Sequence, residues 1–174
     1  NYDEQRILSF FTRVNYELNN KYLASFSVRA DGSTVFAAKH RWGYFPAGSF
    51  AWKFSEENFM QSLKPFISSG KLRLSYGTAG NNRIASFLYM TQFTTNSKYY
   101  GLLDNLVTAF APAALTNANL KWEANISRDL GLDLGFFKDR LQVTADYYRN
   151  KTKDLLVNVT VPTSSGYTSQ VQNV

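Results

Sequence analysis

The chain has 174 residues, enough for one ordinary domain, of which 44% are hydrophobic and 16% aromatic. That many aromatics exclude a disordered chain, and no apolar run reaches the roughly 18 residues of a membrane-spanning helix. The chain lacks cysteine, which excludes disulfides and thiolate zinc sites, and its net charge of +6 comes from scattered lysines and arginines without a recognition motif, so no nucleic-acid partner is expected.

In chain order, Leu8, Phe10, Thr12, Val14, Tyr16 and Leu18 alternate with Ser9, Phe11, Arg13, Asn15 and Glu17. A period of two means a strand with one apolar and one polar face. A second strand carries Tyr22, Ala24, Phe26, Val28 and Ala30 on one face and Leu23, Ser25, Ser27, Arg29 and Asp31 on the other. Pairing must keep the apolar faces together, because a one-residue slip inverts every side chain. A loop of Asn19-Asn20 alone sets Tyr16 against Leu23 and fails that test. The loop Asn19-Asn20-Lys21 pairs Leu18 with Tyr22, Val14 with Phe26, Phe10 with Ala30, Arg13 with Ser27 and Asn15 with Ser25. Asn accepts the left-handed backbone such a loop requires.

A third strand is expected from about Tyr44 to Phe54. Ser55-Glu56-Glu57-Asn58 then reads as a helix N-cap opening a short helical turn at Phe59-Met60. A fourth strand spans Lys71 to about Thr78, with Leu72, Leu74 and Tyr76 opposite Arg73, Ser75 and Gly77. From Gly80 to Leu120 the period breaks; one strand is expected there, about Ser86 to Thr94, within a long connection. Alternation returns with Leu130, Leu132, Leu134 and Phe136, and again with Leu141, Val143, Ala145 and Tyr147. Matching their faces requires the four-residue loop Phe137 to Arg140, and Lys151 to Tyr167 reads as another connection. Asn1-Tyr2-Asp3 reads as mid-chain sequence and Gln172-Asn173-Val174 as another strand starting, so the chain is taken as an excerpt.

Three features favour a membrane barrel over a soluble sandwich. The strands run longer than the five or six residues usual in soluble sheets and suit the roughly 9–11 needed to cross a bilayer at a tilt. Tight connections (Asn19–Lys21, Phe137–Arg140) alternate with long ones (Gly32–Gly43, Gly80–Leu120, Lys151–Tyr167); Ser55–Gly70 sits on the tight side by parity and is an exception in length. Aromatics gather at strand ends: Tyr16, Tyr22, Trp52, Phe54 and Phe136 flank the connections placed on the periplasmic side. The expected fold is all-β, an antiparallel up-and-down transmembrane β-barrel represented by about six or seven strands. A soluble carbohydrate-binding β-sandwich and a passive porin-like channel stand as alternatives.

Catalysis finds no footing, and no enzyme is expected. His40, the single histidine, lies in a loop between Lys39 and Arg41, with no Gly-x-Ser-x-Gly elbow in the chain. No metal and no cofactor are expected: zinc finds one histidine and no cysteine, Gly77-Thr78-Ala79-Gly80 lacks the Gly-Lys-Ser/Thr of a phosphate loop, and Asp31-Gly32-Ser33 lacks the further acids of a calcium loop. What remains is a binding surface. Trp42, Tyr44, Tyr99 and Tyr100, in or beside outer loops, are the candidates for substrate contact, with interfacial anchoring as the other reading. Arg13, Arg29, Asp31, Arg73 and Asp146 are the candidate lumen-facing polar residues, suited to salt-bridge networks.

Six stretches in order resemble the SusC/RagA family of TonB-dependent outer-membrane transporters. They are Arg29-Ala30-Asp31-Gly32-Ser33, Trp42-Gly43-Tyr44-Phe45-Pro46, Leu72-Arg73-Leu74-Ser75-Tyr76-Gly77 leading to Gly80-Asn81-Asn82, Asn119-Leu120-Lys121-Trp122-Glu123, Leu130-Gly131-Leu132-Asp133, and Asp146-Tyr147-Tyr148 followed by Lys151-Thr152-Lys153-Asp154-Leu155-Leu156. Thr34-Val35-Phe36 stands where that family often has Ser-Arg-Phe, and Ala118 where Pro is common. The resemblance implies that residues 1–174 are part of a barrel of about 22 strands, with a plug domain and TonB box elsewhere. It further implies location in the bacterial outer membrane and nutrient uptake, by active import of oligosaccharides or peptides. The partners it implies are a SusD-like surface lipoprotein, the TonB complex and outer-membrane lipid.

Overall fold

The period-two stretches do form strands, most of them longer than the alternation alone marks. The computed structural model describes residues 4–102 and 105–174, and the side chains of these other than 96–109. Within them lie β1 (Ile7–Leu18), β2 (Tyr22–Ser33), β3 (Trp42–Trp52), β4 (Ile67–Asn81), β5 (Phe93–Leu102), β6 (Asn105–Pro112), β7 (Glu123–Phe136), β8 (Leu141–Lys153), β9 (Leu156–Thr160) and β10 (Ser169–Asn173). Six of these, β1-β2-β3-β4-β7-β8, pair antiparallel in chain order as one sheet; β5-β6 and β9-β10 are separate hairpins. Residues 1–3, read above as mid-chain sequence, lie outside the described residues.

The first hairpin has the register deduced from its faces: Leu18 opposite Tyr22, Val14 opposite Phe26, Arg13 opposite Ser27. Asn19 and Asn20 take left-handed backbone with φ of 51° and 56°. The Phe137–Arg140 turn also holds, with Phe136 opposite Leu141. It contains three successive left-handed residues, Phe137, Lys138 and Asp139, each unfavourable for a side-chain-bearing residue. Neighbouring β4 offsets this: Ser68 Oγ accepts the Asp139 N–H at 2.9 Å, and Ser69 Oγ donates to the Asp139 carboxylate at 2.7 Å.

The apolar positions form one face across all six strands. One row reads Tyr16, Ala24, Phe50, Leu74, Leu130, Tyr147; the next toward the turns reads Leu18, Tyr22, Trp52, Leu72, Leu132, Ala145. Most of this face is open: Phe10 is 61% exposed, Val14 62% and Tyr147 68%. A sandwich buries this face under a second sheet. Here it lies bare, as the outer surface of a barrel does before lipid is added.

The band of apolar residues is also slanted. On β1 it runs from Leu8 to Leu18, centred at Arg13; on β8 it runs from Leu141 to Tyr147, centred at Thr144. By register, Arg13 leads through Ser27, Ala47, Gly77 and Ser127 to Asn150, so the band drops by six residues (150 − 144) across five strand steps. At ~3.4 Å per residue and ~4.8 Å per strand this is a drop of about 20 Å over about 24 Å, a strand tilt of about 40°. Barrel strands tilt by about 35–45°, and a flat-lying band demands it.

Several boundaries differ from the sequence-based expectation. Of the strand expected at Ser86–Thr94 only Phe93 and Thr94, the start of β5, are extended in a strand; Ser86 to Met90 is a run of turns, in which Phe87 is left-handed (φ 63°) and its carbonyl accepts the Met90 N–H. The apparent alternation there arises because Ile84 and Leu88 reach down onto a buried cluster. The strands of that connection, β5 and β6, come later. The third strand starts at Trp42 and ends at Trp52. Phe54 opens a 3₁₀ turn, Phe54–Glu56, capped by Lys53, so Ser55 is not an N-cap but lies buried inside the turn. A second 3₁₀ segment, Asn58–Leu63, supplies the helical turn expected at Phe59-Met60. β8 runs to Lys153, and the connection after it holds β9.

Candidate functional site

The opposite face of the sheet is polar, and all five candidate lumen residues are on it. Arg13 lies in the row with Ser27, Arg29 in the row with Phe11 and Phe45, Arg73 and Asp146 in the row with Gly131. Arg29 Nε donates to Asp31 at 2.8 Å and its Nη2 reaches Ser9 at 3.4 Å. The Arg13 guanidinium sits 5.4 Å from the centre of the Phe11 ring. A concavity of about 680 Å³ opens on this part of the sheet, lined by Asn15, Ser25, Ser49, Arg73, Ser75 and Asp129 among others.

Arg73 is the centre of the network. Its Nε and Nη2 take both oxygens of Asp133 at 2.8 and 3.0 Å, and Nη2 also donates to Asp146 at 2.9 Å. Such a bidentate fork fixes the guanidinium in plane. Gly131 lies beneath it: a Cβ there would stand 2.7 Å from the guanidinium carbon and 2.6 Å from the Asp146 carboxylate. The network therefore stitches β4, β7 and β8 across their shared polar face. Asp133 was not singled out from sequence. It shared the polar alternation of its strand, but its partner follows only once β4 pairs with β7, across a connection of 41 residues from Asn82 to Trp122.

A second constellation closes the end that carries the long connections. Phe36, Phe45, Leu120 and Trp122 form the buried cluster, with Ile84, Leu88, Leu156 and Val171 packed against it. Trp122 Nε1 donates to the Arg41 carbonyl at 2.9 Å. The buried Glu123 carboxylate accepts Asn81 Nδ2 at 3.1 Å and the Leu156 N–H at 3.0 Å, and Asn82 Nδ2 donates to buried Ser33 at 3.0 Å. Phe45 lies over Gly43 and Gly80, where any side chain would collide with its ring. Five of the six motif stretches quoted above meet here. Their residues tie three long connections to the strand ends. Sequence reading missed this role because these residues carry no catalytic or metal-binding pattern; the legible signal was glycine beside aromatic in Trp42-Gly43-Tyr44-Phe45.

The candidate aromatics divide. Trp42 and Tyr44 sit at the same end but on the apolar face, where the Trp42 ring stacks on Phe10 with centroids 6.0 Å apart and covers Gly32. Tyr99 and Tyr100 are in β5, with side chains outside the described residues. His40 closes a 3₁₀ turn, Ala38–His40, and among the described residues no group of acids or histidines gathers to hold a metal.

At the turn end, Glu57 gathers three donors: Tyr22 hydroxyl at 2.5 Å, Lys21 Nζ at 3.1 Å and Trp52 Nε1 at 3.3 Å. The Tyr22 bond first, then those from Lys21 and Trp52, hold its carboxyl below the usual carboxylate range. Trp52 packs edge-on to Phe54 at 5.9 Å. This fastens the long β3–β4 connection to the first hairpin.

The TonB dependent receptor-like, beta-barrel family matches residues 1–174. The chain belongs to the TonB-dependent receptor β-barrel family. It is 42% identical to TonB-dependent receptor P39 of Formosa agariphila over 95% of its length, and 38% identical to TonB-dependent receptor SusC of Bacteroides thetaiotaomicron over 97%. These matches span only 15% and 17% of those relatives. The RagAB peptide importer in its open-open state superposes with a TM-score of 0.84 at 30% identity, covering 98% of this chain and 18% of that one. The siderophore receptor PirA of Pseudomonas aeruginosa shares the fold alone, with a TM-score of 0.56 at 16% identity. TonB-dependent receptor barrels are outer-membrane proteins. Such a barrel turns a bare apolar band to lipid and a polar face inward, which is the division seen between the Phe26 and Arg73 faces.

Proposed function

We propose that this TonB-dependent receptor segment is wall from an active importer of SusC/RagA type. Its complete receptor takes up oligosaccharides or peptides through the outer membrane. The observation that carries this is the pairing of a bare apolar band with a polar face cross-linked by Arg73, Asp133 and Asp146, in a chain similar over nearly its whole length to SusC and to a peptide importer. Import needs a wall that stays rigid while cargo passes, and charge-assisted bonds across three strands supply it. On this reading the long connections project outward, where a SusD-like lipoprotein covers the mouth. The plug domain and the TonB-contacting segment belong to other parts of the receptor. Trp42 and Tyr44, on the apolar face beside Phe10, anchor the outer interface. Substrate contact falls to the polar face and to the β5–β6 hairpin that carries Tyr99 and Tyr100.

The test uses the complete receptor, expressed with its neighbouring lipoprotein. Cells should accumulate labelled oligosaccharide or oligopeptide, and a protonophore should abolish the accumulation. Uptake unchanged by the protonophore would mean passive diffusion and overturn the proposal. Protease added to intact cells should cut between Gly80 and Leu120 before it cuts at Phe137–Arg140; the reverse order would invert the orientation.

A further inference from the structure

The lipid face changes character at one corner. On β8 the face that reads Leu141, Val143, Ala145 and Tyr147 continues as Arg149, Lys151 and Lys153. On β7 the matching face reads Leu134, Leu132 and Leu130, then Arg128 and Ile126. Arg128 lies directly opposite Arg149, and Lys151 is diagonal to Arg128. Like charges opposed across a strand pair destabilise it unless something offsets them. Nothing in the sheet does so: among the described residues none of the four cations forms an ion pair, and the same face of β4, β7 and β8 carries no acid. Asp129, Asp133 and Asp146 are on the other face. A concave surface joins Arg128, Arg149, Lys151 and Lys153 with Ile126 and Tyr76.

The slant of the apolar band sets the depth of this corner. Arg149 shares its row with Arg128, Tyr76, Phe26 and Val14. Corrected for the six-residue drop across the sheet, it stands level with Leu8, the upper limit of the band on β1. Arg128 and Arg149 thus stand where hydrocarbon gives way to headgroups, with Lys151 and Lys153 above them. Two guanidinium forks and two ammonium groups side by side suit the tetrahedral, multiply charged oxygens of phosphate, which arginine takes through paired N–H bonds.

We propose that this corner of β7 and β8 binds the phosphate of an anionic phospho-glycolipid of the outer leaflet. Arg128 and Arg149 clamp the phosphate, Lys151 and Lys153 neutralise its remaining charge, and Tyr76 and Leu130 lie beneath along its acyl chains. The inference rests on the apolar face being the lipid face. Its test is chosen so that the two fail separately.

The complete receptor is purified in detergent, and the triple variant Arg128→Gln, Arg149→Gln, Lys151→Gln is prepared alongside. Phosphorylated lipid A and dephosphorylated lipid A are titrated, with inorganic phosphate as competitor. The parent should prefer the phosphorylated lipid at least tenfold, the triple variant less than threefold, and millimolar inorganic phosphate should leave lipid binding intact. An equal preference in parent and triple variant overturns the proposal, as does displacement by inorganic phosphate alone. Heat-modifiable gel mobility of the triple variant reports the barrel independently; its retention with loss of the preference separates the lipid site from the fold. If the triple variant does not assemble, Lys151→Gln with Lys153→Gln, which lie above the band, replaces it, and an unchanged preference there counts equally against the site.

Discussion

Phe26→Arg in the complete receptor tests both the face assignment and the tilt. With a drop of about 1.2 residues per strand, the band centre on β2 falls one residue below Ser27, at Phe26. Its side chain is 55% exposed in the isolated wall, so little internal packing is lost and the cost is that of a guanidinium in hydrocarbon. At mid-bilayer that is about 2–4 kcal/mol, a factor of about 30 to 700 in the assembled fraction at ~1.4 kcal/mol per tenfold. Ala30 is four residues higher on the same face, about 14 Å along the strand and about 10 Å in height at a 40° tilt, close to the rim of a band about 25 Å tall. Ala30→Arg should cost only about 0–1 kcal/mol. Ser25→Arg, one residue from Phe26 but on the polar face, loses its 2.8 Å bond to Ser49, a loss of about 1 kcal/mol. Heat-modifiable barrel recovered from outer membranes, with the urea needed to abolish it, ranks the three. Equal loss for Ser25→Arg and Phe26→Arg would refute the face assignment, and equal loss for Ala30→Arg and Phe26→Arg would refute the depth scale.

The Arg73 network should show coupling. Because Arg73 and Asp133 are each about one-third exposed, a double-mutant cycle of Arg73→Gln and Asp133→Asn should give roughly 0.5–1 kcal/mol after solvent screening, and additive losses would place the pair outside the stabilising set. Trp122→Ala removes the centre of the loop cluster and its bond to the Arg41 carbonyl; such core truncations cost about 3–5 kcal/mol, and protease cleavage between residues 81 and 122 should quicken more than with Trp122→Phe. Glu57 binds its proton less readily when folded than when unfolded. Its contribution to stability is therefore complete above the ordinary Glu value of about 4.3 and is lost as pH falls through the lower folded value. Urea resistance of the complete receptor should drop over that acid window, and Glu57→Gln should flatten the drop. The 174-residue chain alone should sediment as aggregate in detergent-free buffer, since Phe10, Val14, Phe26 and Tyr147 are exposed together; a soluble monomer with a cooperative melt would contradict the lipid-face assignment.

The sequence by itself determined the six strands of the main sheet, their two faces and two of their turns, because each depends on residues close along the chain. Alternation assigns a face residue by residue, and the rule that apolar faces must match leaves one loop length for Asn19–Lys21 and one for Phe137–Arg140. The polar-face positions of Arg13, Arg29, Asp31, Arg73 and Asp146 follow from the same period. Tertiary structure decided what depends on pairing between distant segments. The register of β4 on β7 crosses 41 residues, so nothing local revealed that Arg73 meets Asp133 or that Arg128 faces Arg149. Only the summed registers yield the tilt that lifts Arg149 to the level of Leu8. In the long connections, packing overrode pattern. Ile84 and Leu88 alternate like strand residues but turn into the cluster around Trp122, and burial there outweighs the local preference for extended backbone. Ser55 reads as a cap but is buried in its turn, while Glu57 two residues on takes bonds from Tyr22, Lys21 and Trp52, three donors from the first hairpin and the end of β3 that only the folded sheet brings to one point.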